Sequence, residues 1–297
     1  MTQLRKMMLE ELQRRNYSKT TTRSYLQIVR DFARHFNQRP EQLGPAEIRS
    51  YQAYLLEERK LEPRTVGLHT AALRFLFVRT LRRPYPYEDL PYPKRPRRLP
   101  IILSQEEAAK LIECASNLFH RAMLMTLYST GVRRAELCQL KVEDIDGDRM
   151  IIHIRQGKNG KDRDVPLDPK LRETLREYYR WMKPKTFLFP GTEQGWRADK
   201  PITPKVLWSA CQEAAQRAGI TKRVNPHLLR HSFATHLIEN GADLPTVQAL
   251  LGHADLRATS IYLHLSQRHL KAAGTPLDKI EVKPPDQVKR SRKLHKR

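Results

Sequence analysis

Tyr262 closes the run Leu251-Gly252-His253-Ala254-Asp255-Leu256-Arg257-Ala258-Thr259-Ser260-Ile261-Tyr262, which follows closely on His227-Leu228-Leu229-Arg230-His231. A phenol, two guanidinium groups and several imidazoles thus fall in one short stretch. Arginine binds phosphate oxygens through paired N–H groups. Imidazole moves protons near neutral pH. A tyrosine hydroxyl forms covalent intermediates when such neighbours activate it. The set is equipment for holding and attacking a phosphodiester. Taken alone Tyr262 carries little weight, because the chain holds 11 tyrosines and most tyrosines serve packing.

Two further segments add charge. In Ser129-Thr130-Gly131-Val132-Arg133-Arg134-Ala135-Glu136-Leu137, Ser129 or Thr130 caps a helix that Gly131 lets the chain enter tightly. Arg133 and Glu136 then share a face three residues apart. On a bare surface such a pair is worth less than about 1 kcal/mol. Beside a phosphate, Glu136 orients the guanidinium. The loop Gln156-Gly157-Lys158-Asn159-Gly160-Lys161-Asp162-Arg163 is glycine-rich and basic. It is either a solvated loop or one that reaches into a DNA groove. It lacks the Walker A order, so it does not indicate nucleoside triphosphate binding. His227 and His231 have the i, i+4 spacing of a metal pair, but Leu228 replaces the glutamate of HExxH and no third ligand stands out. No metal site is expected, and His231 reads as a hydrogen-bonded structural histidine.

The elements that must position these groups are mostly helical. Asn225 and Pro226 start a helix as N-cap and first residue. His227, Arg230 and His231 then lie on one face, near N–H groups that favour an anion. Gly252 ends a helix, and Asp255 or Thr259 starts a short one leading to Tyr262. Upstream, Ser104 and Glu107 form a capping box, and helices run to about residue 140. Segments 141–145, 150–154 and 163–167 alternate apolar and polar and predict a small antiparallel sheet. Asp144, Asp146 and Asp148 form a turn rather than a Ca²⁺ loop, since Gly147 is out of place for the latter. Helices resume through residue 273. Residues 2–83 predict four helices, with faces led by Leu4, Met7, Met8 and Leu12, then Tyr25, Ile28, Val29, Phe32 and Phe36, then helices opened by Pro45 and Pro63. The fold class is therefore mainly α with a small antiparallel β-sheet, in a helical N-terminal domain (1–83) and a mixed α/β domain (103–273). Between them, residues 84–102 are too proline-rich for helix or central strand and form a semi-rigid linker. Its Lys94, Arg95, Arg97 and Arg98 either follow a phosphate backbone or stay solvated. Residues 274–297 form a basic tail.

The chain has 297 residues, which suits one large domain or two ordinary ones, and 39% of them are hydrophobic, enough for a core. Its formal charge is +23, from 55 Lys+Arg against 32 Asp+Glu. An excess of this size repels itself unless a polyanion offsets it, and duplex DNA is the leading candidate. No basic amphipathic helix points to a membrane surface. Cys114, Cys138 and Cys211 form no disulfide or metal pattern, as expected of a reducing compartment. No signal peptide or membrane span is evident, so a cytoplasmic protein is expected.

Four motifs together carry a resemblance. They are Thr-Gly-x-Arg-x-x-Glu at 130–136, the basic hairpin at 157–163, His-x-Leu-Arg-His at 227–231 and Leu-Gly-His…Tyr at 251–262. In order and spacing the chain resembles the tyrosine recombinases, the phage-integrase and Xer-type family, over nearly its whole length. The resemblance implies a helical core-binding domain, a linker and a catalytic domain. It implies that Tyr262 attacks the scissile phosphate and forms a 3′-phosphotyrosyl link. Arg133 and Arg230 hold the nonbridging oxygens, Lys158 protonates the leaving 5′-oxygen, His227 acts as general acid and base, and His253 bonds the phosphate. Lys161 and Arg163 touch DNA, with Lys161 the competitor for the role of Lys158. Arg134 stands where the family has an apolar residue, and Arg133 keeps its role by its spacing from Gly131. The family needs no cofactor, ATP or metal. Its partners are double-stranded DNA and three further copies of the chain, with a helix at 266–273 docking on a neighbour. An integrase or transposase of a mobile element, or a Xer-like resolvase associated with the bacterial nucleoid, is expected. Two alternatives share part of the pattern: a type IB topoisomerase, which relaxes DNA without pairing sites, and a DNA-binding regulator that no longer cleaves.

Overall fold

The computed structural model describes residues 2–83, 91–94, 100–155, 162–193, 196–253, 255 and 257–262. The chain divides into two compact units, Met1–Arg98 and Leu99–Arg297.

The first unit is helical: α1 (Gln3–Arg14), α2 (Lys19–Phe36), α3 (Pro45–Glu57) and α4 (Pro63–Arg74), the last running into a π-helical turn at Phe75–Thr80. Ser18 caps α2 by accepting the Thr21 N–H at 3.1 Å. Pro45 and Pro63 stand at the first helical positions, where no N–H is needed. Phe32 is fully buried. Its ring meets Tyr51 edge-on at 5.2 Å and Phe77 at 6.3 Å. Pairs of this geometry add roughly 0.5–1.5 kcal/mol beyond their burial. One expectation fails here. Met7 is 43% exposed, while Leu4, Met8 and Leu12 are buried. Met7 sits about 100° round the helix from Met8, off the four-residue row that faces the core.

The second unit is built round α6 (Leu118–Thr130), which packs against α8 (Pro169–Met182), α9 (Pro204–Arg217), α10 (Pro226–Glu239) and α5 (Gln105–Glu113). Ser104 and Glu107 complete the capping box of α5. A short helix, α7 (Arg134–Gln139), leads to the sheet β1 (Ile145–Asp146), β2 (Ile151–Ile154) and β3 (Arg163–Pro166), antiparallel throughout, with Ile152 opposite Val165 and Ile154 opposite Arg163. Ile152, Ile154 and Val165 are buried and turn one face of the sheet onto the helices. Two further helices follow α10: α11 (Leu244–Leu251) and α12 (Arg257–Ser260).

Three local expectations need correction. Segment 141–145 is mainly a 3-10 turn, Val142–Asp144, because the Asp144 carboxylate accepts the Lys141 N–H at 2.8 Å and curls the chain. Asp144 is itself buried against Arg155, and Asp146 accepts the N–H groups of Asp148 and Arg149, so the acidic cluster is turn chemistry. The helices do not run unbroken past residue 169. A hairpin of β4 (Pro190–Glu193) and β5 (Trp196–Pro201) intervenes, where Pro184, Pro190 and Pro201 deny helical bonds. Finally, Ser129 and Thr130 lie inside α6, and Gly131 ends that helix at φ +60 rather than opening the next. A Cβ there would lie 2.3 Å from the Phe233 ring, so glycine is required for both backbone and space.

Among the described residues, no helix is long and apolar enough to cross a membrane.

Candidate active site

Three elements of the second unit converge on one cluster: the start of α7, the middle of α10 and the end of α11. The Arg230 guanidinium, only 4% exposed, lies between two helix ends. It donates from Nη1 to the Gly131 carbonyl at 2.6 Å and from Nη2 to the Leu251 carbonyl at 2.7 Å. Helix C-termini carry unpaired carbonyls and partial negative charge, so they hold a cation well. Burial, then the neighbouring Arg133 charge, lowers the Arg230 pKa to about 10. It stays charged at neutral pH. A guanidinium has five N–H donors, so two carbonyl anchors leave donors for an anion.

Arg133 is the N-cap of α7. Its backbone N–H donates to Glu136 Oε2 at 2.8 Å, its Nη1 to Glu136 Oε1 at 2.7 Å, and its Nη2 to the Gly252 carbonyl at 2.6 Å. Arg134, next along, is exposed. Arg163 also bonds Glu136, through Nη1 at 3.1 Å and Nη2 at 2.7 Å. Burial alone would raise the Glu136 carboxyl; the hydrogen bonds from Arg163 and Arg133 outweigh it and hold the pKa at about 2. One carboxylate thus bonds two guanidinium groups and acts through its charge on a third, Arg230, so positive charge is in excess.

Tyr262 is 1% exposed. Its hydroxyl lies 3.0 Å from His231 Nδ1, and its ring stacks at 12° on His253, with centroids 6.4 Å apart. Burial raises the phenol's pKa, while the charges of Arg230 and Arg133 pull it back. His253 follows Gly252, the αL cap of α11, and its Nδ1 meets Thr259 Oγ1 at 2.9 Å. Asn225 caps α10 by accepting the N–H groups of His227 and Leu228, and His227 is exposed in that first turn.

The structure thus brings Tyr262, Arg133, Arg230, His253, Glu136 and His231 together. His231, expected as a structural histidine, is the group that touches the Tyr262 hydroxyl. Thr259 as the partner of His253 was not foreseen in that role; its β-hydroxyl so near a capping glycine was the available signal. Arg163, expected to touch DNA, has a side chain only 9% exposed and turned into the cluster, because Glu136 and the Leu250 carbonyl hold it there. Lys94 is exposed. Lys158, Lys161, Arg95, Arg97, Arg98 and segment 266–273 lie outside the described residues. Among the described residues, no group of three or more His, Cys, Asp or Glu side chains is placed to hold a metal ion.

The histidines predict a pH response. Burial, reinforced by the His227 and Arg230 charges, lowers His231 to about 4, and burial with Arg230 and Arg133 does the same for His253. The unfolded chain would take up these protons near pH 6.5, as free histidine does. Between those values the unfolded state binds more protons, so folding stability falls as pH drops from about 6.5 to 4. Glu136 adds a separate loss below about pH 4.5, complete only near 2. Urea denaturation at pH 7 and 4.5 should show the first loss, and His253→Asn should reduce it.

Residues 102–269 match the phage integrase family, and residues 4–87 match the phage integrase N-terminal SAM-like domain. A Sinorhizobium fredii protein named as an integrase/recombinase, y4qK, is 47% identical over 279 residues, covering 94% of this chain and 89% of the relative. The tyrosine recombinase XerA of Pyrococcus horikoshii is 38% identical over 196 residues, 66% of this chain and 67% of the relative. In fold, the chain is similar to the crystal structure of the XerH site-specific recombinase bound to a palindromic difH substrate, with TM-score 0.69 and 24% identity over 89% of this chain and 82% of that one. The family match covers more than half of the sequence, and the cluster of Arg133, Arg230, His253 and Tyr262 falls within it: the chain belongs to the phage integrase family of tyrosine recombinases.

Proposed function

We propose that this chain is a site-specific DNA recombinase that cuts and rejoins duplex DNA through a 3′-phosphotyrosyl intermediate on Tyr262. The observation that carries this reading is the placement of the Tyr262 hydroxyl against His231, within the field of Arg133 and Arg230. The Tyr262 oxygen attacks phosphorus, the bond from phosphorus to the 5′-oxygen breaks, and the phenol proton passes to an imidazole. Before DNA arrives, His231 holds the phenol; with DNA bound, His227 acts as general acid and base. Lys158 protonates the leaving 5′-oxygen, with Lys161 the alternative donor. Arg133 and Arg230 stabilise the charge that builds on the nonbridging oxygens, commonly the largest contribution to such catalysis.

Two fixed guanidinium groups supply the charge that a metal ion gives other phosphodiester enzymes. The phosphotyrosyl bond replaces the bond it breaks, so a 5′-hydroxyl reseals it without ATP. The enzyme works without either. The first unit and the basic linker, with Lys94, Arg95, Arg97 and Arg98, embrace the DNA, and Lys161 meets it at the hairpin. Four copies assemble on two sites, each lending segment 266–273 to a neighbour. The setting is the bacterial cytoplasm, on a mobile element or in Xer-like resolution.

Incubation with a duplex nicked just downstream of the scissile phosphate, so that the short fragment carrying the new 5′-hydroxyl diffuses away after cleavage, tests the reading. A covalent protein–DNA adduct in the absence of ATP and with chelator present is expected. Intact DNA binding with no adduct would leave a DNA-binding regulator instead, and relaxation of any supercoiled plasmid without joined products would favour a topoisomerase.

A further inference from the structure

We propose that Arg163 is a positioning residue for the phosphate clamp: it fixes where the Arg133 guanidinium and the Gly252-His253 turn stand. The inference rests on the reading of this site as a phosphodiester-cleaving centre.

Arg163 opens β3, opposite Ile154. Its fork grips both oxygens of Glu136, and its Nε donates to the Leu250 carbonyl at 2.7 Å. The same two Glu136 oxygens receive Arg133, and Arg133 in turn bonds the Gly252 carbonyl. The contacts close a ring through β3, α7 and the end of α11. A bidentate, charge-assisted pair of this kind fixes direction as well as distance.

Gly252 gives an independent sign. Its φ is +61, and a Cβ there would stand 3.1 Å from both Cδ and Nη1 of Arg163. The turn that presents His253 is therefore built directly against this side chain. Lysine has one ammonium and cannot reach the Leu250 carbonyl and both Glu136 oxygens in the same geometry. Without Arg163, the buried Glu136 carboxylate turns to Arg133 alone and draws that guanidinium away from an incoming phosphate.

The test compares wild type, Arg163→Lys and Arg163→Met, as full-length chains, in single-turnover cleavage of a nicked duplex. The scissile group is either phosphate or methylphosphonate, which carries one negative charge fewer and leans less on the clamp. Arg163→Met should cleave phosphate about 10²-fold more slowly, the scale set by roughly 1 Å of misplacement. On methylphosphonate the deficit should shrink to less than about tenfold, since less charge needs stabilising. Arg163→Lys should fall between, and DNA affinity, spread over many phosphate contacts, should change by less than about threefold. Both substrates meet the same preparation, so an inactive fraction cancels in the ratio. A wild-type rate for Arg163→Met, or an equal deficit on both substrates, overturns the inference while leaving the cleavage reading intact. Absence of any adduct with wild type overturns that reading and the inference with it.

Discussion

Tyr262→Phe should abolish the covalent adduct while leaving DNA binding unchanged. The substitution removes one oxygen. The ring keeps its stack on His253 and its buried seat between α10 and α11. The lost hydrogen bond to His231 costs about 1 kcal/mol of stability, partly offset because a buried phenol no longer needs a partner. The chemistry is another matter, since on the proposed mechanism no other atom at that position forms the bond to phosphorus. Cleavage should fall by a factor on the order of 10⁴ or more, the scale seen when a covalent nucleophile is removed. Gel shifts measure the binding, and denaturing gels of labelled nicked DNA measure the adduct. Residual adduct at a tenth of the wild-type level would move the nucleophile elsewhere.

Arg230→Lys should be the next most damaging change, although it preserves the charge. Arg230 spans two helix ends at once, bonding the carbonyls of Gly131 and Leu251. An ammonium on a flexible stem reaches at most one of them and presents no planar fork to a phosphate. Single-turnover cleavage should drop about 10²–10³-fold, the cost of losing one donor to a developing oxyanion. The carbonyl left without its donor should lower unfolding free energy by about 1–3 kcal/mol. Burial already lowers the Arg230 pKa, and it lowers the pKa of a buried lysine in the same way, which weakens the clamp further. Equal rates for Arg230→Lys and wild type would remove Arg230 from the clamp.

The positions of the helices were legible because local chemistry sets them. Asn225-Pro226, Ser104 with Glu107, and Ser18 cap helices as their types require. Most of the candidate site was legible as a set of residue types in order. What remained hidden was mainly backbone. The carbonyls of Gly131, Leu250, Leu251 and Gly252 hold Arg230, Arg163 and Arg133, and every residue has a carbonyl, so no side-chain pattern marks those four. Arg163 looked like a DNA contact because it follows a basic loop. Pairing with β2 instead turns it inward, and one-residue alternation along a strand decides which way a side chain points. In the sequence only prolines mark the β4–β5 hairpin, and prolines alone do not distinguish a strand pair from a loop. His231 read as structural because its spacing fitted a helix face equally well without Tyr262, 31 residues away.

On the proposed mechanism Tyr262 itself carries the DNA. Wild-type protein trapped on a nicked duplex, digested with protease and nuclease and sequenced by mass spectrometry, tests it directly. A nucleotide linked through its 3′-phosphate to the peptide containing Tyr262 is expected. A nucleotide on any other residue, or linkage through a 5′-phosphate, would contradict it.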